Sequence, residues 1–453
     1  MALFGTDGIR GVANADLTPE LALAVGRAVA AVLGGAADGR PAIVVGRDTR
    51  ISGPMLEAAL VAGVVSCGSD VLAAGIIPTP GVAMAVREAG AAAGVMISAS
   101  HNPIGDNGIK VFGPDGFKLP DAVEARIEAA VAAAGGPRPT HEEVGVVRPA
   151  SELAARYVDR LVDGGADLRA LTVVVDAAFG AAYDAAPRVF ERLGARVVTI
   201  HAEPDGSRIN VACGTTDMAA LAGEVRRIAA ADRSAHVVGV AFDGDADRTL
   251  LVDEGGAVLS GDHVMLMLAR RRKATGALPG DAIVGTVMSN LGLERALAQI
   301  GIALVRTPVG DRYVLEAMRA GGFALGGEQS GHIVDLDLNT TGDGPATAVA
   351  VLSLVVESGA TLRELASPLT VYPQVLLNVR TQRRDVSDAP AVRDAVAEAE
   401  RALAGSGRIL VRPSGTEPLV RVMVEGSDDA LVRRVAGAVA DVIRSSAAEA
   451  ASA

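Results

Sequence analysis

The chain has 453 residues and a formal net charge of −12 at pH 7, and half of its residues are hydrophobic. This length allows about three domains with substantial cores, and the absence of a Lys/Arg tract or a basic, aromatic-rich stripe excludes a general nucleic-acid-binding surface. No stretch reaches the roughly 18 strongly apolar residues that a membrane-spanning helix needs, so we expect a cytoplasmic protein without nucleic-acid or membrane partners.

Strands and helices alternate along the first third of the chain. Apolar runs at 42–48, 70–78 and 92–99 are predicted to be strands, and helices are predicted at 52–68 and 79–90. A β-α-β-α-β order indicates a parallel sheet covered by helices. The two cysteines, Cys67 and Cys213, do not form a close metal-binding pair, and we interpret them as structural thiols.

The same alternation restarts after a helix at 151–163 and again near 281–290. The C-terminal segment has a different order of elements. A strand at 375–381, a helix at 387–404 and two strands joined by a turn indicate a small α+β module. We therefore expect an α/β fold of three similar domains and a smaller C-terminal α+β domain. The predicted domain ranges are 1–150, 151–253, 254–368 and 369–453.

The stretch MISASHNPIGDNGIKVF (96–112) places Ser100 at the end of a strand, beside His101. A Ser–His hydrolase pair is disfavoured, because neighbouring side chains in an extended segment point to opposite sides and no G-x-S-x-G turn is present. A helix cap at Ser100 remains an alternative, although the following Asn102-Pro103 disfavours immediate helix formation. A nucleophilic or phosphate-carrying serine fits best with the motifs that follow.

Three carboxylates, Asp243, Asp245 and Asp247, alternate directly after an apolar strand in VVGVAFDGDADR. Their mutual repulsion is costly unless a cation neutralises it, and hard oxygen ligands suit Mg²⁺. A solvated turn is the alternative. An EF-hand loop is excluded, because Arg248 stands at the sixth position, where that loop needs Gly.

Two glycine-rich loops carry further polar residues. In GGEQSGH (326–332), Glu328 and Ser330 have the chemistry to bind a polyol and His332 that of an acid or base near neutral pH, although a polar turn is equally compatible. In GTDGIRG (5–11), which contains Arg10, a surface turn is the default interpretation.

The C-terminal stretch RPSGTEPLVR (412–421) concentrates guanidinium and hydroxyl groups around a glycine. Arginine binds phosphate through paired hydrogen bonds, and glycine allows backbone N–H groups to approach an anion. A hairpin turn is the simpler alternative. The pattern favours phosphate binding by Arg412, Ser414, Gly415, Thr416 and Arg421.

Taken together, the motifs resemble those of the α-D-phosphohexomutase superfamily, and within it those of the bacterial phosphoglucosamine mutases. The resemblance covers essentially the whole chain and is carried, in order, by LFGTDGIRGVAN, SASHNP…DNGIK, DGDADR, TPVGDRYV, GEQSGH, TTGDG and RPSGTEPLVRVMVE. It implies domains with mixed, mostly parallel sheets around a central cleft.

The resemblance also implies the reaction. Ser100 would be a phosphoserine that donates its phosphoryl group to glucosamine 6-phosphate, forms a 1,6-bisphosphate and takes back the 6-phosphate. The product, glucosamine 1-phosphate, would feed UDP-N-acetylglucosamine and cell-wall synthesis. One Mg²⁺ per chain would be held by the Ser100 phosphate and Asp243, Asp245 and Asp247. Glucosamine or glucose 1,6-bisphosphate would serve as activator, the phosphosugar would be the partner, and a homodimer is allowed.

The remaining roles are implied in the same way. Lys110 and Arg10 would assist proton transfer or charge balance, and His332 would be an acid or base. Thr307, Glu328 and Ser330 would bind the sugar, and the C-terminal residues would hold the phosphate that is not reacting. The supporting residues would be His101, Asn102 and Arg248.

Three alternatives to this function stay open. A phosphomannomutase/phosphoglucomutase of the same superfamily would use the same chemistry on a neutral hexose. An aspartyl-phosphate phosphatase would use Asp243 as its nucleophile, and a non-catalytic sugar-phosphate sensor would need no nucleophile at all. The chain departs from the family pattern at Ile104-Gly105, Phe179, Thr215 and Asp217, which leaves the shape of these loops and the substrate preference open.

Overall fold

The computed structural model describes residues 3–5, 7–34, 40–133, 135–381, 383–414 and 418–452. The described residues form two compact units. The larger unit comprises Met1–Met288 with Ile302–Ser367, and the smaller comprises Ser289–Gly301 with Pro368–Ala453. Among the helices of the described ranges, none has both the length and the apolar character that crossing a bilayer requires.

The first sheet of the larger unit has the strand order β1-β5-β4-β2-β3-β6. Its strands are β1 Ile9–Val12, β2 Ala42–Arg47, β3 Asp70–Ile76, β4 Ala93–Ile97, β5 Asp106–Phe112 and β6 Val147–Pro149. The predicted parallel core is confirmed, since β2 pairs in parallel with β3 and β4. In contrast, β5 pairs antiparallel with β4 and β1, a direction that hydrophobic periodicity does not encode.

Helices cover both faces of this sheet, which explains the uninterrupted apolar run of β2. Ile43, Val44 and Val45 are fully buried there, as expected for a central strand with both faces covered. The helices that follow the first strands in the chain are α1 Pro19–Leu33, α2 Gly53–Val65, α3 Thr79–Ala89 and α4 Asp121–Ala132.

The second sheet has the order β11-β10-β9-β7-β8. Its elements are α5 Glu152–Asp163, β7 Leu171–Asp176, α6 Ala185–Arg192, β8 Arg196–Ile200, α7 Ala219–Ala231, β9 His236–Phe242, β10 Thr249–Val252 and β11 Val258–Leu259. The central β7 pairs in parallel with β8 and β9, and β10 continues the sheet antiparallel to β9. The acidic motif therefore lies in the tight connection between β9 and β10.

The third sheet has the order β13-β12-β14-β15 and is parallel except for its β14–β15 pair. Its elements are α8 Gly261–Ala274, β12 Ala282–Thr286, β13 Ala303–Thr307, α10 Asp311–Gly321, β14 Leu325–Gly327, β15 Ile333–Asp335, α11 Gly344–Ser358 and α12 Leu362–Ala366. The helix α9 Leu291–Gln299 lies in this part of the chain but belongs to the smaller unit.

The smaller unit contains a three-stranded antiparallel sheet with the order β16-β18-β17. Its further elements are β16 Gln374–Arg380, α13 Pro390–Leu403, β17 Gly407–Pro413, β18 Leu419–Gly426 and α14 Asp429–Ser452. The helix α9 is joined to it by Asn290, whose amide exchanges two hydrogen bonds of 3.0 Å with the backbone of Tyr372. The predicted fold class is confirmed, whereas the four domain ranges stay predictions.

Candidate active site

Ser100 lies in a tight turn beyond the end of β4. Its φ of +51° is in the left-handed region, which a residue with a side chain occupies only at a cost in free energy. Its backbone N–H donates to Ser98 Oγ at 2.9 Å, and its own hydroxyl donates to Asp243 Oδ2 at 2.5 Å. The turn therefore aims a buried hydroxyl at the acidic motif of the second sheet.

The backbone of this turn is held by Arg50, which the sequence analysis missed. The Arg50 side chain is fully buried, and its guanidinium donates to the carbonyls of Ser100 and Asn102, both at 2.8 Å. It also donates to the carbonyls of Pro103 at 2.6 Å and Asp106 at 2.9 Å. A single side chain thus fixes the path of the whole turn, because the planar fork of arginine satisfies several acceptors at once.

Asp48 anchors this arginine. Its carboxylate accepts from Arg50 Nε at 3.1 Å and from Ser98 Oγ at 2.6 Å. The only sequence feature that could have pointed to both residues is their position directly after strand β2, at the edge of the sheet where α/β folds bind ligands.

The acidic motif is buried, as a cation site requires. Asp243, Asp245 and Asp247 are at most 3% exposed, and one ligand atom from each lies within 4.8 Å of the others. Burial, followed by the charges of Asp247 and Asp245, raises the pKa of Asp243 to about 8. Three carboxylates in so small a space repel each other strongly unless cations compensate them.

These residues fit a divalent cation. One carboxylate oxygen of Asp245 and one of Asp247, both Oδ1, are buried without a hydrogen-bond partner, which is unusual for buried polar atoms. Oxygen donors of this type are the ligands that Mg²⁺ prefers. Ser100 Oγ, hydrogen-bonded to Asp243, adds an oxygen at the same place.

Lys110 on β5 supplies a positive charge inside this cluster. Its side chain is 1% exposed, and Nζ lies 2.9 Å from Asp245 Oδ2 and 3.1 Å from Asp247 Oδ2 and from Asp7 Oδ2. Burial lowers the pKa of Lys110, but the three carboxylates outweigh it and raise the pKa well above its usual value. Lys110 is therefore a fixed cation here, suited to balancing charge rather than to abstracting a proton.

His332 stands between two carboxylates. Its Nδ1 lies 3.6 Å from Asp247 Oδ1 and its Nε2 lies 3.6 Å from Asp311 Oδ2, with the side chain 4% exposed. Burial opposes protonation, but Asp247 and Asp311 together raise the pKa of His332. The ring is thus oriented from both sides and favours the imidazolium form.

The loop between β14 and β15 presents the residues expected to bind sugar. Glu328 Oε1 accepts from the N–H of Gly310 at 3.1 Å, and Ser330 Oγ lies 3.5 Å from Glu328 Oε2. Thr307, at the end of β13, directs its hydroxyl to the carbonyls of Gly285 and Pro308, at 3.2 and 3.0 Å. Glu328 and Ser330 therefore place a carboxylate and a hydroxyl in one loop, and Glu328 is held by the segment that follows Thr307.

The N-terminal loop is part of this site, so the default interpretation of a surface turn is wrong. Asp7 forms ion pairs with Arg10, Lys110 and Lys118. Arg10 also donates to Asn102 Oδ1 at 3.1 Å. The loop thus brings charged groups to the Ser100 turn, and the sequence analysis missed Asp7 and Lys118 because their partners are remote in sequence.

The expected orientation of His101 is wrong in one respect. Its Nδ1 lies 3.3 Å from Ser100 Oγ, because the left-handed turn at Ser100 brings adjacent side chains together. Burial, followed by the charges of Arg248 and Arg10, lowers the pKa of His101 to about 4, so its ring is neutral near pH 7. Arg248, whose backbone N–H donates to Asp243 Oδ1 at 3.2 Å, lies at the end of the acidic motif.

The C-terminal stretch carries its arginines on paired strands. Arg412 on β17 and Arg421 on β18 are direct partners in the antiparallel register, and burial together with the Arg421 charge lowers the pKa of Arg412. Cations directly opposite each other destabilise a sheet, which favours an anion here. The Ser414 N–H donates to the Leu419 carbonyl at 2.9 Å, whereas Gly415 and Thr416 lie outside the described residues.

The chain matches models of the phosphoglucomutase/phosphomannomutase family along most of its length. Alpha/beta/alpha domains I, II and III match residues 1–136, 155–256 and 260–372, and the C-terminal domain matches residues 376–442. A phosphoglucosamine mutase from Moorella thermoacetica is 54% identical over 430 residues, which cover 94% of this chain and 95% of that protein. The phosphoglucosamine mutase from Symbiobacterium thermophilum is 52% identical and covers 98% of both chains.

Solved structures agree on the fold. A phosphoglucomutase/phosphomannomutase family protein from Burkholderia thailandensis superimposes with a TM-score of 0.81 at 25% identity, covering 98% of this chain and 97% of that one. The N-acetylphosphoglucosamine mutase from Aspergillus fumigatus, solved in complex with GlcNAc-6P and magnesium, has a TM-score of 0.67 at 18% identity. It covers 98% of this chain and 96% of its own.

Proposed function

The chain belongs to the phosphoglucomutase/phosphomannomutase family, and from this premise we propose that it interconverts glucosamine 6-phosphate and glucosamine 1-phosphate through a phosphoserine at Ser100. The observation that carries the proposal is the contact of Ser100 Oγ with Asp243 Oδ2 at 2.5 Å. This contact places a candidate nucleophile next to a candidate cation site. The two phosphoglucosamine mutases described above, which are 54% and 52% identical to this chain, support the choice of substrate.

In the forward direction, phospho-Ser100 transfers its phosphoryl group to the O1 hydroxyl of glucosamine 6-phosphate. The bond between phosphorus and Ser100 Oγ breaks as the bond to O1 forms, the hydroxyl proton leaves O1, and Ser100 Oγ takes up a proton. The 1,6-bisphosphate then reorients within the site and returns its 6-phosphoryl group to Ser100. Phosphoryl transfer of this kind depends on positioning and on charge stabilisation.

Asp243, Asp245 and Asp247, together with the Ser100 phosphate, would hold one Mg²⁺ per chain. When bound, the ion would neutralise charge that develops on the transferring group. Lys110 and Arg10 add fixed positive charge at the same place, and Asn102 and His101 support the turn.

We assign sugar binding to Glu328, Ser330 and Thr307, and the role of an acid or base to His332. The carboxylate and hydroxyls suit a polyol, and a ring oriented by two carboxylates suits a proton carrier. We assign the phosphate that is not being transferred to the C-terminal group Arg412, Ser414, Gly415, Thr416 and Arg421.

We also expect the resting enzyme to be primed by glucosamine or glucose 1,6-bisphosphate, to act in the cytoplasm and to supply precursor for UDP-N-acetylglucosamine and the cell wall. A homodimer stays a prediction.

A comparison of substrates tests the proposal. Phosphorylated enzyme with Mg²⁺ is assayed with glucosamine 6-phosphate and with glucose 1-phosphate. We expect the amino sugar to give the higher kcat/KM. Much faster turnover of glucose 1-phosphate would favour the phosphomannomutase/phosphoglucomutase alternative.

The phosphatase alternative gives a different result. It would release free phosphate in an Ser100→Ala variant, since Asp243 would then carry the phosphoryl group. We expect no such release, because Asp243 Oδ2 accepts the Ser100 hydroxyl at 2.5 Å and the Asp243 carboxylate would be a Mg²⁺ ligand in the proposed site rather than a nucleophile. Failure of the primed enzyme to turn over any phosphosugar would favour a sugar-phosphate sensor.

A further inference from the structure

A short turn that follows β5 of the first sheet reaches into the third sheet. In this turn, residues 113–118, Phe117 packs against the apolar core formed by the third sheet and α10. The guanidinium of Arg319 lies 4.4 Å from the Phe117 ring centroid, and the Thr340 hydroxyl donates to the Gly116 carbonyl at 2.6 Å. The turn is therefore built into the region that carries the Glu328 loop.

The last residue of the turn, Lys118, joins the two regions by charge. Its Nζ forms ion pairs with both Asp7 and Asp311, and its side chain is only 10% exposed. Asp7 belongs to the N-terminal loop beside Ser100, whereas Asp311 is the first residue of α10. Lys118 thus contacts one carboxylate in the N-terminal loop and one at the start of α10.

These contacts complete a closed ring in which basic and acidic side chains alternate. Asp311 lies 3.6 Å from His332, and His332 lies 3.6 Å from Asp247. Lys110 lies 3.1 Å from both Asp247 and Asp7. In order, the ring consists of Lys118, Asp311, His332, Asp247, Lys110 and Asp7.

A second ion pair, beside the ring, fixes the position of α10. Arg312 binds Glu124 through two hydrogen bonds of 2.7 Å, so consecutive residues of opposite charge on α10 face opposite charges at Lys118 and Glu124. A shift of α10 by one residue would set Arg312 toward Lys118. Such like-charge contacts are costly in a buried setting, and the arrangement therefore accepts one position of α10.

Two contacts link the position of α10 to the Glu328 loop and to His332. The Gly310 N–H, next to Asp311 in sequence, donates to Glu328 Oε1 at 3.1 Å, and the Asp311 carboxylate faces His332. A displacement of Asp311 would therefore move the anchor of Glu328 and one of the two carboxylates that orient His332.

We propose that Lys118 is a positioning residue that sets His332 and Glu328 in register with Ser100. It acts through Asp311 and touches neither substrate nor the reacting atoms. The proposal rests on the proposed function, in which His332 and Glu328 face the sugar. Its consequence is that the charge of Lys118, and not merely its bulk, is needed for efficient transfer.

The test compares full-length phosphorylated enzyme carrying Lys118→Met, which keeps the alkyl chain, with Lys118→Arg, which keeps the charge. Lys273→Met is the matched control. Lys273 lies in the last turn of α8, and its Nζ pairs with Asp281 at 3.2 Å. We expect Lys118→Met to lower kcat for glucosamine 6-phosphate by about 10- to 100-fold, Lys118→Arg to recover most of it, and Lys273→Met to stay within about twofold of wild type.

A spectroscopic measurement separates positioning from general destabilisation. The chain has 6 histidines, and long-range proton–nitrogen NMR correlations of their rings are assigned with a His332→Gln variant. We expect the His332 signals to move in Lys118→Met and to stay near wild type in Lys118→Arg and Lys273→Met. Unchanged His332 signals, or kcat within about twofold of wild type in folded Lys118→Met, would overturn the proposal.

The two proposals fail in different ways. If the wild-type enzyme turned over no phosphosugar, the proposed function would be wrong. The His332 signals would still report whether Lys118 positions that ring.

Discussion

The hydroxyl of Ser100 donates to the carboxylate of Asp243 at 2.5 Å, although the two residues are 143 positions apart in sequence. Ser100 is carried by a turn after a strand of the first sheet and Asp243 by the turn after β9 of the second. The contact unites two motifs that are each ambiguous alone. It makes the nucleophile and the cation site a single unit, and the following predictions depend on that unit.

Substitution of Arg50 by lysine should disable the Ser100 turn. Lysine keeps the charge but cannot reach the carbonyls of Ser100, Asn102, Pro103 and Asp106 together, which Arg50 does. Hydrogen bonds to charged groups contribute about 1.5–3 kcal/mol each, and because several of them are lost we expect a lower melting temperature and a fall in kcat of about 100-fold.

Thermal unfolding and steady-state assays check this prediction, with Arg47→Lys as control. Arg47 is a neighbouring arginine whose Nε pairs with Glu57 at 2.9 Å. Equal loss of activity in both variants would mean that the contacts of Arg50 with the turn have no special role.

Removal of one carboxylate should weaken cation binding strongly. In Asp245→Asn, the buried Asp245 Oδ1, which has no hydrogen-bond partner, is replaced by a weaker, neutral ligand group. We expect Mg²⁺ affinity to fall by about 100-fold or more and activity to fall with it. Isothermal titration with Mg²⁺ measures the first effect and an assay over a range of Mg²⁺ concentrations measures the second.

Removal of Mg²⁺ by a chelator should inactivate the wild-type enzyme reversibly. Asp253→Asn is a suitable comparison for Asp245→Asn, because Asp253 is also buried but lies outside the acidic motif, where it pairs with Arg363 at 2.9 Å. Full activity of Asp245→Asn at low Mg²⁺ would argue against a cation site in the acidic motif.

Loss of one C-terminal arginine should weaken phosphosugar binding without affecting Ser100. We expect Arg421→Met to raise KM for glucosamine 6-phosphate by about 10- to 100-fold, the effect of losing charged hydrogen bonds to a phosphate. Phosphoserine content, measured by intact mass, should be unchanged. Arg433→Met, which removes an exposed pair with Asp429, should leave KM near the wild-type value, and a similar KM in both variants would contradict the assignment.

His263 should make stability depend on pH on the acid side of neutrality. Its Nδ1 accepts from the Ser260 N–H at 3.2 Å at the start of α8, and burial lowers its pKa below 6.5. The unfolded chain therefore binds more protons at this histidine, so stability is present above the unfolded pKa and decreases as pH falls below it.

Melting temperatures from about pH 7.5 to about pH 5.5 check this sign. The decrease on acidification should be smaller in His263→Gln than in wild type, because glutamine does not titrate. A decrease of the same size in both proteins would show that His263 does not contribute.

Local elements could be predicted from the sequence, but their direction and grouping could not. The predicted helix at 79–90 agrees with α3 Thr79–Ala89, and the predicted strand at 70–78 agrees with β3 Asp70–Ile76. In contrast, the antiparallel pairing of β5 and the association of α9 with the C-terminal sheet depend on contacts between distant segments. Hydrophobic periodicity records which face is buried and not which neighbour covers it.

The candidate site was predictable where residues of special chemistry stand together in sequence. Asp243, Asp245 and Asp247 form such a group. The supporting residues Arg50 and Lys118 could not be found in this way, because a charged residue among polar neighbours usually lies in solvent. Their roles depend on burial and on partners up to 193 positions away.

The central claim, that Ser100 carries the transferred phosphoryl group, is tested most directly by a single-turnover experiment. Enzyme labelled with ³²P is mixed with unlabelled glucosamine 6-phosphate and Mg²⁺, and label is followed on the protein and on the sugar. We predict that label leaves Ser100 for the sugar bisphosphate and product while an unlabelled phosphoryl group replaces it, and that Ser100→Ala never acquires label. Label on another residue, or turnover that persists in Ser100→Ala, would contradict the account.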